Sequence, residues 1–144
     1  MTPEKLAALG ALARRALTDA EIALADARQD AELAASLSAG RTRLVPMEVG
    51  VGTILAAFAG SGGQFLDTLD AIGQANRDIH WLLNGVILRG AFDPSVPASR
   101  DGMVALAAQL PQFAAGINAL LAMAEQADPV AVGAVSDILN AEAA

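Results

Sequence analysis

The chain has 144 residues, no cysteine and a formal net charge of −7. The absence of cysteine excludes disulfides, thiolate metal sites and cysteine nucleophiles. The acidic balance argues against nucleic-acid binding, which needs a basic footprint, and only Arg14, Arg15, Arg41 and Arg43 form a local exception.

Composition favours helices over sheets. Alanine is abundant, aromatic residues make up only 3%, and charged residues 17%. The mean hydropathy of +0.44 indicates more apolar surface than a typical soluble monomer carries. We therefore predict an all-α fold, a compact bundle of about five or six helices, in which residues 1–144 form a single helical domain.

The N-terminal segment has the pattern of one long helix. Thr2 is a suitable N-cap and Pro3 a suitable first helical residue. A narrow apolar stripe then continues to Ser38, through Leu6, Leu9, Ala13, Leu17, Ala20, Leu24, Ala27, Ala31 and Ala34. Small residues allow close helix packing, so Leu17 and Leu24 are candidate interface residues. Thr18 and Glu21 also match a capping box, and two helices meeting near Leu17 are the alternative.

The next segment, residues 49–66, is uncharged and rich in glycine. A phosphate-binding loop would need Lys and Ser or Thr after its final glycine, whereas Gln64 and Phe65 follow here. We expect a short buried helix from about Thr53 to Ala59 that ends in a glycine turn.

The clearest periodicity lies in a central amphipathic helix over residues 64–88, with its apolar side at Phe65, Leu69, Ile72, Ile79, Leu83, Val86 and Ile87. Its second half is apolar nearly all round and must be covered. An alternative places two short strands at 81–88, because Asn84-Gly85 is a strong hairpin signal.

Two residues break this pattern. Asn76 lies in the middle of the apolar face, where it needs a partner within its own subunit or across an interface that it would hold in register. In that position, Asn76→Leu would raise stability. Trp81 lies on the polar face and is a candidate interface anchor, unless the loop at 91–96 folds over it. His80, Leu82 and Leu88 beside it complete the set of interface candidates.

Catalytic chemistry is not indicated. His80 is the only histidine, and its helical neighbours Asn76 and Asn84 provide no carboxylate to orient it. We predict no catalytic, metal or cofactor site and no enzyme activity, although an enzyme that uses His80 is one alternative.

Residues 102–124 form the longest uncharged run, which Pro111 divides into two helices. This run and residues 49–66 are long enough, or nearly so, to span a membrane, so a membrane role is an alternative, weakened by Gln109, Pro111, Gln112 and Asn118.

These features favour a non-catalytic structural or assembly protein that acts through protein–protein contacts. We expect a homo-oligomer or a subunit of a larger bacterial or bacteriophage assembly, in the cytoplasm or the virion, since no signal peptide is visible. One alternative is a small membrane-associated helical protein, a holin-like hairpin. Another is a helical bundle that binds a small apolar ligand among Phe58, Phe65, Met103 and Phe113.

Overall fold

The structure is a computed structural model, and it describes residues 1–142. Described residues are mostly helical, which confirms the predicted all-α class, apart from the small sheet formed by β1, Thr42–Leu44, and β2, Glu125–Ala127. The α-helices are α1 Pro3–Ala13, α2 Asp19–Asp26, α3 Asp30–Ser38, α4 Val51–Ala57, α5 Gly62–Gly73, α6 Arg77–Trp81, α7 Pro97–Gln109, α8 Ala114–Met123 and α9 Val132–Asn140. A π-helix, Leu82–Ile87, follows α6, and a 3-10 turn, Pro111–Phe113, precedes α8. The helices are thus shorter and more numerous than predicted.

The chain forms two compact units, each with its own hydrophobic core. The first contains Met1–Arg43 and the C-terminal residues from Ala127, and the second contains Leu44–Gln126. The single domain over residues 1–144 stays a prediction.

The predicted long N-terminal helix is wrong, because the chain turns twice within it. Arg14 and Arg28, both with φ 57°, adopt the left-handed conformation after α1 and α2. A new helix begins after each turn, at Asp19 and at Asp30. The alternative of two helices meeting near Leu17 is right about the first break but does not include the second, between α2 and α3. Thr18 and Glu21 form the capping box, in which the Thr18 hydroxyl accepts from the Glu21 N–H and the Glu21 carboxylate accepts from the Thr18 N–H.

The core of the first unit lies among α1, α2, α3 and α9. Its buried side chains are Leu9, Ala13, Ala25, Leu33, Ala34, Leu37, Val130, Val135 and Leu139. Leu17 and Leu24 are half-buried and pack against this core. At the start of α1, the Thr2 hydroxyl accepts from the Lys5 N–H and Pro3 is the first residue, which confirms the predicted helix start.

The core of the second unit is built around three phenylalanines. The Phe58 and Phe65 rings are stacked with centroids 4.3 Å apart, and Phe113 meets Phe65 edge to face at 5.4 Å. Gly116 of α8 lies against this cluster, and a Cβ added there would be 2.2 Å from Cδ1 of Phe58. The cluster holds α4, α5 and α8 together.

The predicted central helix over residues 64–88 is also wrong, because α5 ends at Gly73 and α6 begins at Arg77. Gly73 is buried beside His80, and a Cβ at position 73 would be 3.1 Å from the His80 Cα. The chain therefore turns closely around a glycine that has no side chain to obstruct α6.

Asn76 is consequently exposed and not buried in an apolar face. It is the N-cap of α6, and its Oδ1 accepts hydrogen bonds from the N–H groups of Asp78 at 3.0 Å and Ile79 at 3.2 Å. The preference of Asn for the N-cap position outweighs the continuity of the apolar period.

This role reverses the expected effect of Asn76→Leu. We expect Asn76→Leu and Asn76→Ala to lower the free energy of unfolding by about 1 kcal/mol, because either change removes the acceptor for two N–H groups. Asn76→Asp should restore the stability. Urea denaturation measures these changes, and Asn118→Ala, at an exposed position within α8, is the control. Increased stability in Asn76→Leu would contradict the capping role.

The hairpin alternative at 81–88 is wrong, because this segment is helical throughout. Leu82–Ile87 form a π-helix, and the Leu88 N–H bonds the Leu83 carbonyl five residues earlier. Asn84-Gly85 thus lies within a widened helical turn, and Leu83 and Ile87 on its inner side are buried in the second core.

The glycine-rich segment contains α4, followed by Ala59 and Gly60 with positive φ. The short helix is thus present, but the prediction that it is buried is wrong, because only Ile54 of α4 is buried. Pro111 separates α7 from α8, as the sequence predicts. Among the described residues, no single helix is long and apolar enough to cross a membrane, while Pro97–Gln109 and Pro111–Met123 meet that test only as a pair bent by 119°.

Candidate functional site

Trp81 is the most exposed large apolar side chain of the described residues, with 59% of its surface accessible. The loop at 91–96 does not cover it, and Phe92 of that loop is buried in the second core. A Cβ added at Gly85 would lie 3.5 Å from Cε3 of the indole. The ring therefore lies along the outer surface of the helix, over a glycine of the next turn.

Two polar neighbours hold the indole in place. The Arg77 guanidinium carbon lies 5.8 Å from the centroid of the Trp81 ring, within the range of a cation–π interaction. The His80 ring meets the indole edge to face, with centroids 5.2 Å apart. A positioned aromatic ring has less conformational freedom to lose on binding, which favours its use as an anchor.

Asn84 connects the π-helix to the turn before it. Its Nδ2 donates to the His80 carbonyl at 2.9 Å and lies 3.4 Å from the His80 Nδ1. His80 is half-buried. The hydrogen bond from the Asn84 amide to the His80 backbone carbonyl has a structural role. It positions His80 beside the indole.

Of the four leucine candidates, three pack against one of the cores and one is exposed. Leu82 packs against the second core, while Leu88 is exposed at 49%. Leu17 and Leu24 belong to the first unit. The candidate contact group is therefore Trp81 with the residues around it, namely Arg77, His80, Asn84 and Gly85.

The four residues considered for an apolar ligand, Phe58, Phe65, Met103 and Phe113, are all buried in the second core. Three of them are in mutual ring contact. A ligand among them would have to displace these ring contacts.

Sequence reasoning missed a buried carboxylate in the first unit. Glu21 is 2% exposed, and both its oxygens accept from the Arg15 guanidinium, at 2.6 and 2.9 Å. The Ser36 hydroxyl donates to it at 2.7 Å. Hydrogen bonding by Arg15 is the main cause that holds the pKa of Glu21 far below its usual range, against the effect of burial. The capping box was the sequence signal for Glu21, but nothing local indicated its burial.

A second carboxylate of that unit, Asp128, pairs with two arginines. Its Oδ2 accepts from Arg14 at 2.8 Å and from Arg41 at 3.2 Å. Burial alone would raise the pKa of Asp128, but hydrogen bonds from Arg41 and Arg14 keep it below its usual range. The basic residues noted in the sequence are thus largely engaged within the chain.

Within the described part of the chain, no three His, Cys, Asp or Glu side chains are grouped as a metal site would require. Comparison of the sequence with protein-family models and with curated proteins, and of the structure with solved structures, gives no match.

Proposed function

We propose that this protein is a non-catalytic structural or assembly protein that acts through protein–protein contacts. It would work as a homo-oligomer or as a subunit of a larger bacterial or bacteriophage assembly, with Trp81 as the anchor of the contact surface. The observation that supports the proposal is the exposed indole, which Arg77 and His80 hold over Gly85.

The free energy of burial explains why such a ring favours association. Trp is among the residues most enriched at interface hot spots, because it buries a large apolar area while its N–H finds a polar partner. Arg77 would move out of water together with the ring, and desolvation strengthens a cation–π interaction. The exposed surface of Leu88 adds apolar area on the same helical segment.

Replacing the indole tests this proposal. We expect Trp81→Ala to weaken association about 30-fold, which corresponds to roughly 2 kcal/mol for a hot-spot residue. Sedimentation equilibrium over a range of protein concentrations measures the association constant. Folding should be little changed, because the ring lies outside both cores, and circular dichroism verifies it.

Val104→Ala is the matched control, since Val104 on α7 is an apolar side chain exposed at 56%. It should leave the association constant unchanged. Equal effects of the two substitutions, or no effect of Trp81→Ala, would count against Trp81 as the anchor.

A further inference from the structure

The hydrogen bonds of Asn84 determine which nitrogen of His80 carries the proton. The Asn84 Nδ2 donates to the His80 backbone carbonyl at 2.9 Å. A carbonyl oxygen can only accept, so the amide nitrogen, and not Oδ1, faces the preceding turn. The same Nδ2 lies 3.4 Å from the His80 Nδ1. A ring nitrogen that meets a donor must be the acceptor, so His80 is neutral and carries its proton on Nε2.

A second proton on His80 conflicts with this arrangement. It would place a hydrogen on Nδ1, so that two donors face each other across 3.4 Å. Rotation of the Asn84 amide does not relieve the conflict, because its Oδ1 would then face the His80 carbonyl oxygen. The imidazole ring has to turn away instead. Histidine is the side-chain type that ordinarily gains its second proton between about pH 8 and 5.

The His80 ring is also a support of the Trp81 indole. It meets the indole edge to face with centroids 5.2 Å apart, and the Arg77 guanidinium carbon lies 5.8 Å from the indole centroid. An imidazolium in this place would bring a second positive charge to the ring that Arg77 already contacts, and like charges repel. A ring that turns away removes the edge-to-face contact, so the indole loses a neighbour that positions it.

Few other groups affect the charge of His80. The elements packed against α6 are α5, which meets His80 with the buried Gly73, and the π-helix, which has no titratable side chain. The charged residues of α5 and α6 are Asp67, Asp70, Arg77 and Asp78, all exposed. Among residues 1–142, no ion pair joins a carboxylate to the His80 ring. The Asn84 amide is thus the polar group that contacts the ring nitrogen.

We propose that His80 is a pH-sensitive support of the Trp81 indole, which Asn84 orients in neutral solution and which protonation displaces. In mild acid the indole becomes mobile, and association through it becomes weaker. The effect on association rests on the proposed function of Trp81. The displacement of the ring does not, because it concerns only contacts within residues 77–84.

Nuclear magnetic resonance of the nitrogen-15-labelled full chain tests the displacement. The chain has one histidine and one tryptophan, so their ring signals are assigned without ambiguity. At neutral pH we expect a protonated Nε2, a bare Nδ1 and nuclear Overhauser effects between the two rings. On titration to about pH 5, these effects should weaken with the midpoint of the His80 titration. A protonated Nδ1 at neutral pH, or ring-to-ring effects that persist while His80 takes up its proton, would overturn the proposal.

Two controls separate this response from a general effect of acid. In His80→Gln, which keeps a neutral polar side chain, the indole N–H signal should no longer change with pH. In the wild type, the amide signals of Asn118, an exposed residue of α8, should not follow the His80 midpoint. A full pH response of the indole in His80→Gln would contradict the role of His80. If this variant fails to fold, the wild-type titration still decides.

Sedimentation equilibrium at neutral pH and at about pH 5 measures the effect on association. Acid also changes the net charge of the chain, so wild type is compared with His80→Gln at the same pH. The wild-type association constant should fall about two- to tenfold more, the range for the loss of one aromatic contact. An equal pH dependence of the two proteins would overturn the effect on association. If Trp81→Ala leaves association unchanged, the proposed function fails, while the magnetic resonance titration still tests the displacement of His80.

Discussion

Replacing Glu21 with Gln is expected to lower the free energy of unfolding at neutral pH by about 1 to 3 kcal/mol. The substitution keeps the size of the side chain but removes the negative charge that Arg15 and Ser36 bind. A buried ion pair that loses one partner leaves an unpaired charge, which is the larger part of the cost. Arg15 is 40% exposed and can be partly solvated, so the effect falls below that of a fully buried pair.

The difference between wild type and Glu21→Gln should depend on pH. The folded protein holds the pKa of Glu21 below its ordinary value of 4.5, so the unfolded chain binds the proton more readily. The stabilisation is therefore complete above about pH 4.5 and is lost as the pH falls towards the lower folded pKa. Urea denaturation measures this at a series of pH values from neutral to acid. The free energies of unfolding of wild type and Glu21→Gln should converge as the pH falls.

Glu32→Gln is the matched control for this prediction. Glu32 is an exposed carboxylate in the first turn of α3, and the substitution also removes one negative charge from the same unit. It should change stability by a few tenths of a kcal/mol only. If Glu21→Gln and Glu32→Gln have equal effects, or if the effect of Glu21→Gln stays constant in acid, the ion pair of Glu21 with Arg15 does not stabilise the folded protein as proposed.

Gly116→Ala is expected to lower the free energy of unfolding by about 1 to 3 kcal/mol, although alanine is the better helix former. The new Cβ would lie 2.2 Å from Cδ1 of Phe58, and real atoms do not approach so closely. Phe58 cannot move freely, because it is stacked on Phe65 and meets Phe113 edge to face. Overpacking of the core therefore exceeds the gain in helix propensity, which is roughly 1 kcal/mol.

Gly102→Ala provides the comparison within the same unit. Gly102 is an exposed residue of α7, and a Cβ there would meet nothing within 4 Å. It should raise stability by up to about 1 kcal/mol, so the two substitutions should differ in sign. A double-mutant cycle with Phe58→Leu should show that part of the Gly116→Ala penalty disappears when the ring is removed. A stabilising Gly116→Ala would contradict the observed packing.

The sequence predicts the helical class well but not the length of the helices. Hydrophobic periodicity identifies a helical face, yet consecutive short helices can keep the same phase along the chain. The turns at Arg14 and Arg28 contain neither glycine nor proline, which usually mark such turns. At Asn76 the sequence carries two conflicting signals, because Asn is a favoured N-cap while the apolar period around it continues without a break.

Helical spacing in the sequence predicts part of the candidate site. Trp81 is exposed, as its place on the polar face indicates, and Arg77 is four residues before it, where side chains on a helix meet. The π-helix has no comparable signal in the sequence. Glu21 and Ser36 are 15 residues apart and meet only because α2 folds back on α3, so no local pattern shows that contact.

Native mass in solution tests the central claim most directly. Light scattering on a size-exclusion column, after expression and lysis without detergent, should show a discrete oligomer for the wild type. In the same measurement, Trp81→Ala should shift towards the monomer while Val104→Ala should not. A wild-type protein of monomeric mass across the accessible concentrations would contradict self-association through Trp81.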